Sequence, residues 1–186
     1  MKKYVSAVLL FAVLLPAAAF AGMGLSVGAH AGSSWYMAVP RFADELPFRS
    51  SVTADAGISL GVIDEELDYE VSLIGAFKFV SYSPVFNDKR SRQFVGGGGG
   101  LRLLYLFSEH WGAFAEGVLF ANRYAVDQAF LSTQVKIGPY YQFLGDGDWR
   151  LALELPVSLE FRKDVLGVTV GVMVQANYDI PRRDNV

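Results

Sequence analysis

Residues 149–178 alternate between apolar and polar side chains, and this alternation limits the folds open to the chain more than any other feature. From 149 to 161 every odd position is apolar, whereas four of the seven even positions from 150 to 162 are charged. The alternation resumes out of phase over 166–178. A period of two indicates β-strand, because successive side chains point to opposite faces. Each run spans about thirteen residues, where soluble strands average ~5–6, and has one wholly apolar face, as lipid-crossing strands do.

The composition is apolar without containing a membrane helix. Hydrophobic residues make up 52% of the 186 residues. After residue 21, however, no uninterrupted apolar run reaches the ~18 residues that a spanning helix needs. The net charge of −3 gives no indication of nucleic-acid binding. The sequence has no cysteine, which excludes a disulfide framework, thiol chemistry and a lipid-modified N-terminal cysteine.

The N-terminus has the pattern of a cleaved signal peptide. Two lysines precede a short apolar core, and an Ala-Phe-Ala cleavage site follows it. A membrane anchor helix is the alternative, but the core is short and Pro16 interrupts it. The predicted divisions of the chain are a signal peptide over 1–21, an outer-membrane barrel over 22–178 and a polar tail over 179–186. We therefore expect the chain to be exported and to reside in a bacterial outer membrane.

Alternation of the same kind recurs along the rest of the chain and predicts eight strands. The predicted strands cover residues 23–31, 52–62, 69–82, 92–107, 111–121, 131–143, 149–161 and 166–178. Consecutive strands joined by short connections, with no edge left unpaired, form a closed barrel. The expected fold is therefore all-β: an eight-stranded antiparallel up-and-down transmembrane barrel.

The aromatic residues indicate which strand ends lie together. Residues 32–50 form the longest irregular stretch and are predicted to be an external loop, which places the N-terminus in the periplasm. In that orientation one predicted periplasmic aromatic girdle contains Tyr105, Phe107, Trp111, Tyr141, Phe143, Trp149 and Tyr178. Such girdles mark the interfacial regions of membrane barrels.

Charged residues fall on the inward face of the predicted strands. Four of them lie near the middles of consecutive strands and alternate in sign: Arg102, Glu116, Lys136 and Glu154. Further inward charges are predicted at Asp55, Glu70, Lys78, Arg150 and Glu160. Neighbouring strands lie ~4.8 Å apart, so the first four can form an ion-paired belt across the lumen. A soluble barrel with a solvated charged face is disfavoured, because its other face would expose a continuous apolar surface.

The strand count, the signal peptide and the terminal aromatic Tyr178 together resemble small eight-stranded outer-membrane barrels. These include the OmpA membrane domain, OmpX and the OmpW/OprG group, and the resemblance covers residues 22–178. The terminal strand looks like the insertion signal that the barrel assembly machinery reads, although here eight residues follow the aromatic. The resemblance implies either passage of small hydrophobic molecules, as in OmpW-like members, or an adhesin or structural role, as in OmpX-like members.

The sequence offers little for catalysis or metal binding. Its two histidines, His30 and His110, are far apart and have no cysteine near them. No Gly-x-Ser-x-Gly elbow is present, and no Gly-Lys-Ser/Thr follows the five glycines at 96–100. Those glycines are more readily explained by close packing or bending of a strand. We expect no enzymatic activity, no metal and no cofactor.

Two functional hypotheses follow, with a third that is easily separated. The first is a barrel that passes or gates small hydrophobic solutes. The second is a closed-lumen structural or surface-interaction barrel with an extracellular host or surface partner. Candidate surface-loop contacts for such a partner are Trp35, Tyr36, Phe42 and Phe48. The third is a soluble lipocalin-like carrier, which needs the apolar face inside. In the first two cases the expected partners are outer-membrane lipids and, during insertion, the barrel assembly machinery.

Overall fold

The computed structural model describes residues 24–40, 49–64, 68–82, 93–124, 129–146, 148–163 and 165–180. The strands are β1 (Gly24–Pro40), β2 (Arg49–Asp64), β3 (Tyr69–Tyr82), β4 (Gln93–Leu106), β5 (Trp111–Tyr124), β6 (Ala129–Asp146), β7 (Trp149–Glu154), β8 (Val157–Phe161) and β9 (Val165–Ile180). Within these ranges no helix is long and apolar enough to cross a membrane. The predicted signal peptide lies outside the described residues.

The strands form one antiparallel sheet that closes on itself. Each strand from β1 to β6 pairs with the next along the chain, and β9 pairs with β1 to complete the ring. Both β7 and β8 lie between β6 and β9, so they share one place in the wall. The described residues therefore form a ring of eight strands, which confirms the predicted all-β, antiparallel, up-and-down fold.

Strand β1 is longer than the sequence pattern predicts. The predicted loop over 32–50 is wrong for its first nine residues, because β1 continues through them to Pro40, and for its last two, because β2 begins at Arg49. Its partner β9 holds it in register as far as the pair of Pro40 with Val165. Small residues such as Gly32 and Ser34 on the inward face, with Ser33 facing outward, hide the period of two. Pairing with a long partner strand thus decides the conformation where the local pattern is weak.

Strand β9 also extends beyond its predicted end. Asp179 and Ile180 belong to β9 and pair with Ser26 and Leu25 of β1. The predicted boundary between the barrel and the polar tail, at residue 179, is therefore wrong by two residues. The inward Asp179 is fixed there by Arg150, whose Nε lies 2.7 Å from its carboxylate.

Two prolines lie where β7 ends and β8 begins: Pro156 in the break itself and Pro139 on the neighbouring strand β6. The N–H of Leu155 donates to the carbonyl of Pro139 at 3.3 Å, and the N–H of Gly171 donates to the carbonyl of Pro156 at 3.0 Å. Neither proline has an N–H with which to return the bond. The pairing with β6 keeps one register on both sides of the break, so the prolines remove ladder bonds without adding a bulge. A register shift lies further along β6, at residues 142–144.

The barrel is apolar outside and polar inside. Side chains of β5 alternate strictly between exposed and buried from Trp111 to Asn122. On the outer wall Leu131 is 78% exposed and Ile58 is 68% exposed. Soluble monomers rarely expose apolar patches above a few hundred Å², whereas strands in lipid alternate apolar-out and polar-in. The outer wall therefore has the chemistry of a surface that contacts hydrocarbon.

A charge at Val170 tests this outer face. Val170 is 52% exposed on the wall and lies between Trp35 of β1 and Val157 of β8. We expect Val170→Arg to lower the free energy of unfolding in lipid vesicles by about 2–4 kcal/mol, the cost of a cation near mid-depth. Urea titration followed by tryptophan fluorescence measures this. Val170→Met, which is unbranched and uncharged, is the control, and equal stability of the two variants would contradict a lipid-facing position.

Candidate functional site: the barrel lumen

The lumen is the place where side chains from all eight strands converge. An eight-stranded barrel has an interior just wide enough for side chains to fill. We call the end with the connections 65–67, 107–110 and 147–148 the turn end. The opposite end, with the connections 41–48, 83–92, 125–128 and 162–164, is the loop end. Both Gly24 and Ile180 lie at the turn end.

The structure brings the four central charges together as a belt. Arg102, Glu116 and Lys136 are register partners on β4, β5 and β6. An Oε of Glu116 lies 3.6 Å from Arg102, and the other lies 3.2 Å from Lys136. Glu154 of β7 binds the guanidinium of Arg102 through both carboxylate oxygens. The charge belt is thus a chain of ion pairs, Glu154–Arg102–Glu116–Lys136, that runs across the lumen.

The charge belt is almost fully shielded from solvent. Glu154 is fully buried, and the other three members are at most 5% exposed. The guanidinium of Arg102 also lies over the ring of Phe114, 4.5 Å from its centroid. Buried charges remain ionised only when they are paired, and here two cations face two anions. The belt is therefore electrically neutral and depends on every member.

A second ionic cluster lies at the turn end. Arg150 bridges Glu70 at 2.8 Å and Asp179 at 2.7 Å. The hydroxyls of Ser26 and Ser72 donate to the other oxygen of Glu70 at 2.9 and 2.6 Å. The alternation predicts Glu70 and Arg150 to face inward, but Asp179 was not among the predicted inward charges. Its phase with the inward Gln175 and Asn177 was the signal that could have found it.

A cavity opens at the turn end beside this cluster. Its volume is about 230 Å³. Carboxylates of Asp64, Asp68, Glu70 and Asp179 line it together with Arg150. Its apolar wall comes from residues at the same strand ends, including Leu104 and Leu106. The cavity therefore has a mainly negative lining at the turn end of the barrel.

The remaining inward charges lie toward the loop end. Lys78 pairs with Glu160 across the lumen at 2.5 Å, and both are almost fully buried. The ammonium of Lys78 also lies 4.1 Å from the centroid of Phe120. The carboxylate of Asp55 accepts hydrogen bonds from Ser34 at 3.2 Å and from Thr53 at 3.4 Å.

Apolar side chains fill the lumen between the charges. The three buried clusters are Tyr36, Val80 and Phe94 at the loop end, Ile74, Val118 and Phe120 in the middle, and Leu104, Phe114, Tyr140 and Ala152 toward the turn end. These clusters alternate with the ionic groups along the axis. Apolar side chains thus occupy the lumen at three levels between the ionic groups.

The predicted surface-loop contacts lie elsewhere than expected. Tyr36 is buried inside the lumen, 1% exposed, so its prediction as a surface contact is wrong. The inward phase of β1 directs its ring over Gly167, where a Cβ atom would lie 2.6 Å from the tyrosine oxygen. Trp35 is 60% exposed, but it lies on the outer wall of β1 and not in a loop. Phe42 and Phe48 lie outside the described residues.

Aromatic side chains lie along most of the turn end of the outer wall. Trp111 lies 4.7 Å from Tyr141, and Trp149 lies 5.0 Å from Tyr178, measured between ring centroids. The other members of the predicted girdle, Tyr105, Phe107 and Phe143, are each more than half exposed at strand ends on the same side. Tyr69, which was not among the predicted girdle residues, pairs with Tyr105 in the β3–β4 ladder.

The histidines are placed apart. His30 is buried inside the barrel, whereas His110 lies exposed in a turn, 6.4 Å from the ring of Tyr141. Among the described residues, no group of three or more His, Cys, Asp or Glu side chains is placed to hold a metal ion.

Comparison with solved structures identifies the fold class. Neisserial surface protein A is 15% identical, with a TM-score of 0.51 over 81% of this chain and 95% of that one. The attachment invasion locus protein Ail of Yersinia pestis is 10% identical, with a TM-score of 0.49 over 83% and 98%. The outer membrane protein OprG of Pseudomonas aeruginosa is 7% identical, with a TM-score of 0.46 over 86% and 98%. No family model matches the chain, and no curated protein matches it in sequence.

The likeness to Neisserial surface protein A is one of fold alone at this level of identity. It confirms, for the architecture, the resemblance to small eight-stranded outer-membrane barrels. The chain thus has the fold of that class, with an apolar outer wall and a filled polar lumen.

Proposed function

We propose that this chain is a bacterial outer-membrane barrel whose lumen is closed by its own side chains, and that it acts as a structural or surface-interaction protein rather than as an open pore. The observation that carries the proposal is the buried charge belt, in which Arg102 contacts both Glu154 and Glu116. Its pairs occupy the middle of an interior that is only as wide as the side chains lining it.

The location in a membrane rests on the outer wall. Large apolar side chains are exposed around the barrel, and tyrosine and tryptophan gather at one end. Both features fit a hydrocarbon slab bounded by an interface on the turn side. The expected signal peptide supplies the export step, and we place the turn end in the periplasm. We assign the chain no catalytic activity and no cofactor.

A closed lumen follows from the energetics of the charge belt. A hydrated ion or polar solute on the axis would have to separate the pairs that Arg102 makes with Glu154 and Glu116. Breaking a buried pair leaves an uncompensated charge and is strongly unfavourable. Packed aromatic and aliphatic clusters lie on both sides of the belt. The resting barrel should therefore exclude ions.

Gated passage of a small solute is the second candidate. The observation that favours it is that Glu116 is shared between Arg102 and Lys136, so the belt has more than one way to pair its charges. The acidic cavity at the turn end, about 230 Å³, provides a site where a solute could first bind before it enters the lumen. A rearranged belt could then admit a small solute that the resting state excludes.

Single-channel recording in planar bilayers tests the closed lumen. Wild-type protein should show no large steady conductance. The variant Arg102→Ala/Glu154→Ala removes one ion pair without changing the net charge, so it should open a conducting path. Glu109→Ala, in the exposed turn at 107–110, is the control and should behave as wild type. A large, steady wild-type conductance that the double variant does not change would contradict the proposal.

Solute flux into vesicles separates the two candidates. A structural or surface-interaction barrel should pass neither polar nor apolar test solutes faster than empty vesicles do. Gated passage should instead accelerate one chemical class of solute while the steady ion conductance stays small.

A further inference from the structure

Arg162 lies in a connection but points into the barrel. It follows the end of β8 at Phe161, outside the strand ladder, in the connection 162–164. Its side chain is nevertheless only 7% exposed. The next residue, Lys163, is exposed, as a cation in a connection normally is. Burial of the first cation and exposure of the second indicate that Arg162 has a specific environment inside the loop end.

That environment is a group of aromatic rings, which we call the loop-end cage: Phe94, Tyr124 and Phe130. The guanidinium carbon of Arg162 lies 4.0 Å from the centroid of Phe130 and 5.6 Å from each of the other two. The three ring centroids lie 4.9–5.6 Å from one another. The guanidinium also donates to the hydroxyl of Tyr124. Cations over aromatic faces are attracted by the ring quadrupole, and more strongly when water is excluded.

A second cation lies beneath the loop-end cage. The ammonium of Lys78 lies 5.6 Å from the centroid of Phe94, so this ring is shared between Lys78 and Arg162. Lys78 is in turn paired with Glu160. These contacts join β3, β4, β5, β6 and β8 at the loop end. The charge belt, by contrast, joins β4, β5, β6 and β7 nearer the turn end.

We propose that Arg162 is a latch that closes the loop end of the lumen, separately from the charge belt. The inference rests on the closed lumen proposed above and adds a second closure to it. Arg162 lies outside the strands, so the cation–π contact with Phe130 and the hydrogen bond to Tyr124 are not part of the strand pairing. The loop end can thus open while the wall and the charge belt stay intact.

Thiol labelling tests the latch without requiring transport. The chain has no cysteine, so one introduced cysteine reports alone. Ser132→Cys places it beneath the loop-end cage, where Ser132 is 3% exposed and 2.9 Å from the amide nitrogen of Asn122. Adding Arg162→Ala should raise its rate of reaction with a small charged thiol reagent by about tenfold or more, since loss of the cation–π contacts frees the entrance. Lys163→Ala is the matched control and should leave the rate unchanged.

Two further comparisons separate a latch from general loosening. Ser72→Cys, level with the charge belt as the ladder partner of Arg102 and in contact with Glu70 of the turn-end cluster, should react at the same rate with or without Arg162. Guanidinium ion added to the Arg162→Ala variant should restore protection of the cysteine at 132, whereas uncharged urea at the same concentration should not. Phe130→Leu removes a ring of the loop-end cage and is the alternative variant if Arg162→Ala fails to fold. It too should raise the labelling rate of the cysteine at 132.

The outcomes are distinct from those of the conductance experiment. An unchanged rate at 132 in Arg162→Ala and in Phe130→Leu, an equal rise at 72, or equal protection by urea would each overturn the latch. A conducting wild-type barrel would overturn the closed lumen while the labelling rates still showed whether Arg162 guards the loop end.

Discussion

Replacing Arg102 with methionine should lower the free energy of unfolding by about 3–5 kcal/mol, the cost of leaving a buried charge without its partner. Arg102 is 2% exposed and is the residue that joins both glutamates of the charge belt. Without it, Glu154 loses its ion pair with Arg102, and Glu116 keeps only the pair with Lys136, at 3.2 Å. Urea unfolding in lipid vesicles, followed by tryptophan fluorescence, gives the difference from wild type.

The charge-balanced double variant Arg102→Met/Glu154→Leu is the matched control. Exchange of a whole buried ion pair for apolar side chains of similar volume is often neutral or stabilising. We therefore expect the double variant to recover most of the stability that the single variant loses. If the double variant is less stable than Arg102→Met alone, an uncompensated charge is not the cause of the stability lost in the single variant.

The second large effect is expected in the glycine run of β4. A Cβ atom at Gly98 or at Gly100 would lie closer than 3.0 Å to a backbone oxygen of β5, that of Leu119 or Gly117. Backbone of a neighbouring strand cannot yield as a flexible side chain can, so the wall must shift. Gly98→Ala and Gly100→Ala should each lower the free energy of unfolding by about 1–3 kcal/mol or prevent the barrel from forming.

Gly97 provides the control, because alanine there should stabilise the barrel rather than destabilise it. A Cβ atom at Gly97 meets nothing within 4 Å, because this residue faces outward. Gly97→Ala should therefore raise the free energy of unfolding by about 0.4–1 kcal/mol, through reduced entropy of the unfolded chain. The same urea titration measures both. Equal destabilisation by Gly97→Ala and Gly98→Ala would show that the glycines are needed for the flexibility of β4 and not for the close approach of β5.

The architecture could be predicted because each face of a strand meets one kind of environment. In β5, Glu116 faces inward and Leu119 faces outward, as their positions in the alternation require. The register of three belt residues could also be predicted, because short connections allow adjacent strands few alternative alignments. Arg102, Glu116 and Lys136 are in fact direct partners in the ladders.

Contacts that cross the lumen were beyond the sequence pattern. Glu154 was expected to continue the row beside Lys136, but its ladder partner on β6 is Tyr140. Strand stagger therefore places Glu154 away from Lys136 and within reach of Arg102. Arg162 was missed because a cation in a connection is normally solvated, and no local pattern indicates that aromatic rings will surround it.

Strand length was also poorly predicted where the signal depends on a distant partner. β1 and β9 are separated by most of the chain, yet their pairing extends β1 to Pro40 and β9 to Ile180. Because β1 continues through Tyr36, this side chain lies inside the barrel and not in a loop. Its phase relative to Ser34 was readable in the sequence, but only once the strand was known to continue.

The pairing of β1 with β9 has a consequence for how the chain can be rearranged. Leu25 and Ile180 are ladder partners, so a few added residues could join the two strands over one interstrand spacing, ~4.8 Å. New ends made beside the exposed turn residue Asp148 would then give a circular permutant with the same wall, since exposed turns tolerate such cuts. A closed ring has no first strand. The order in which the strands are synthesised is thus separable from the barrel they form.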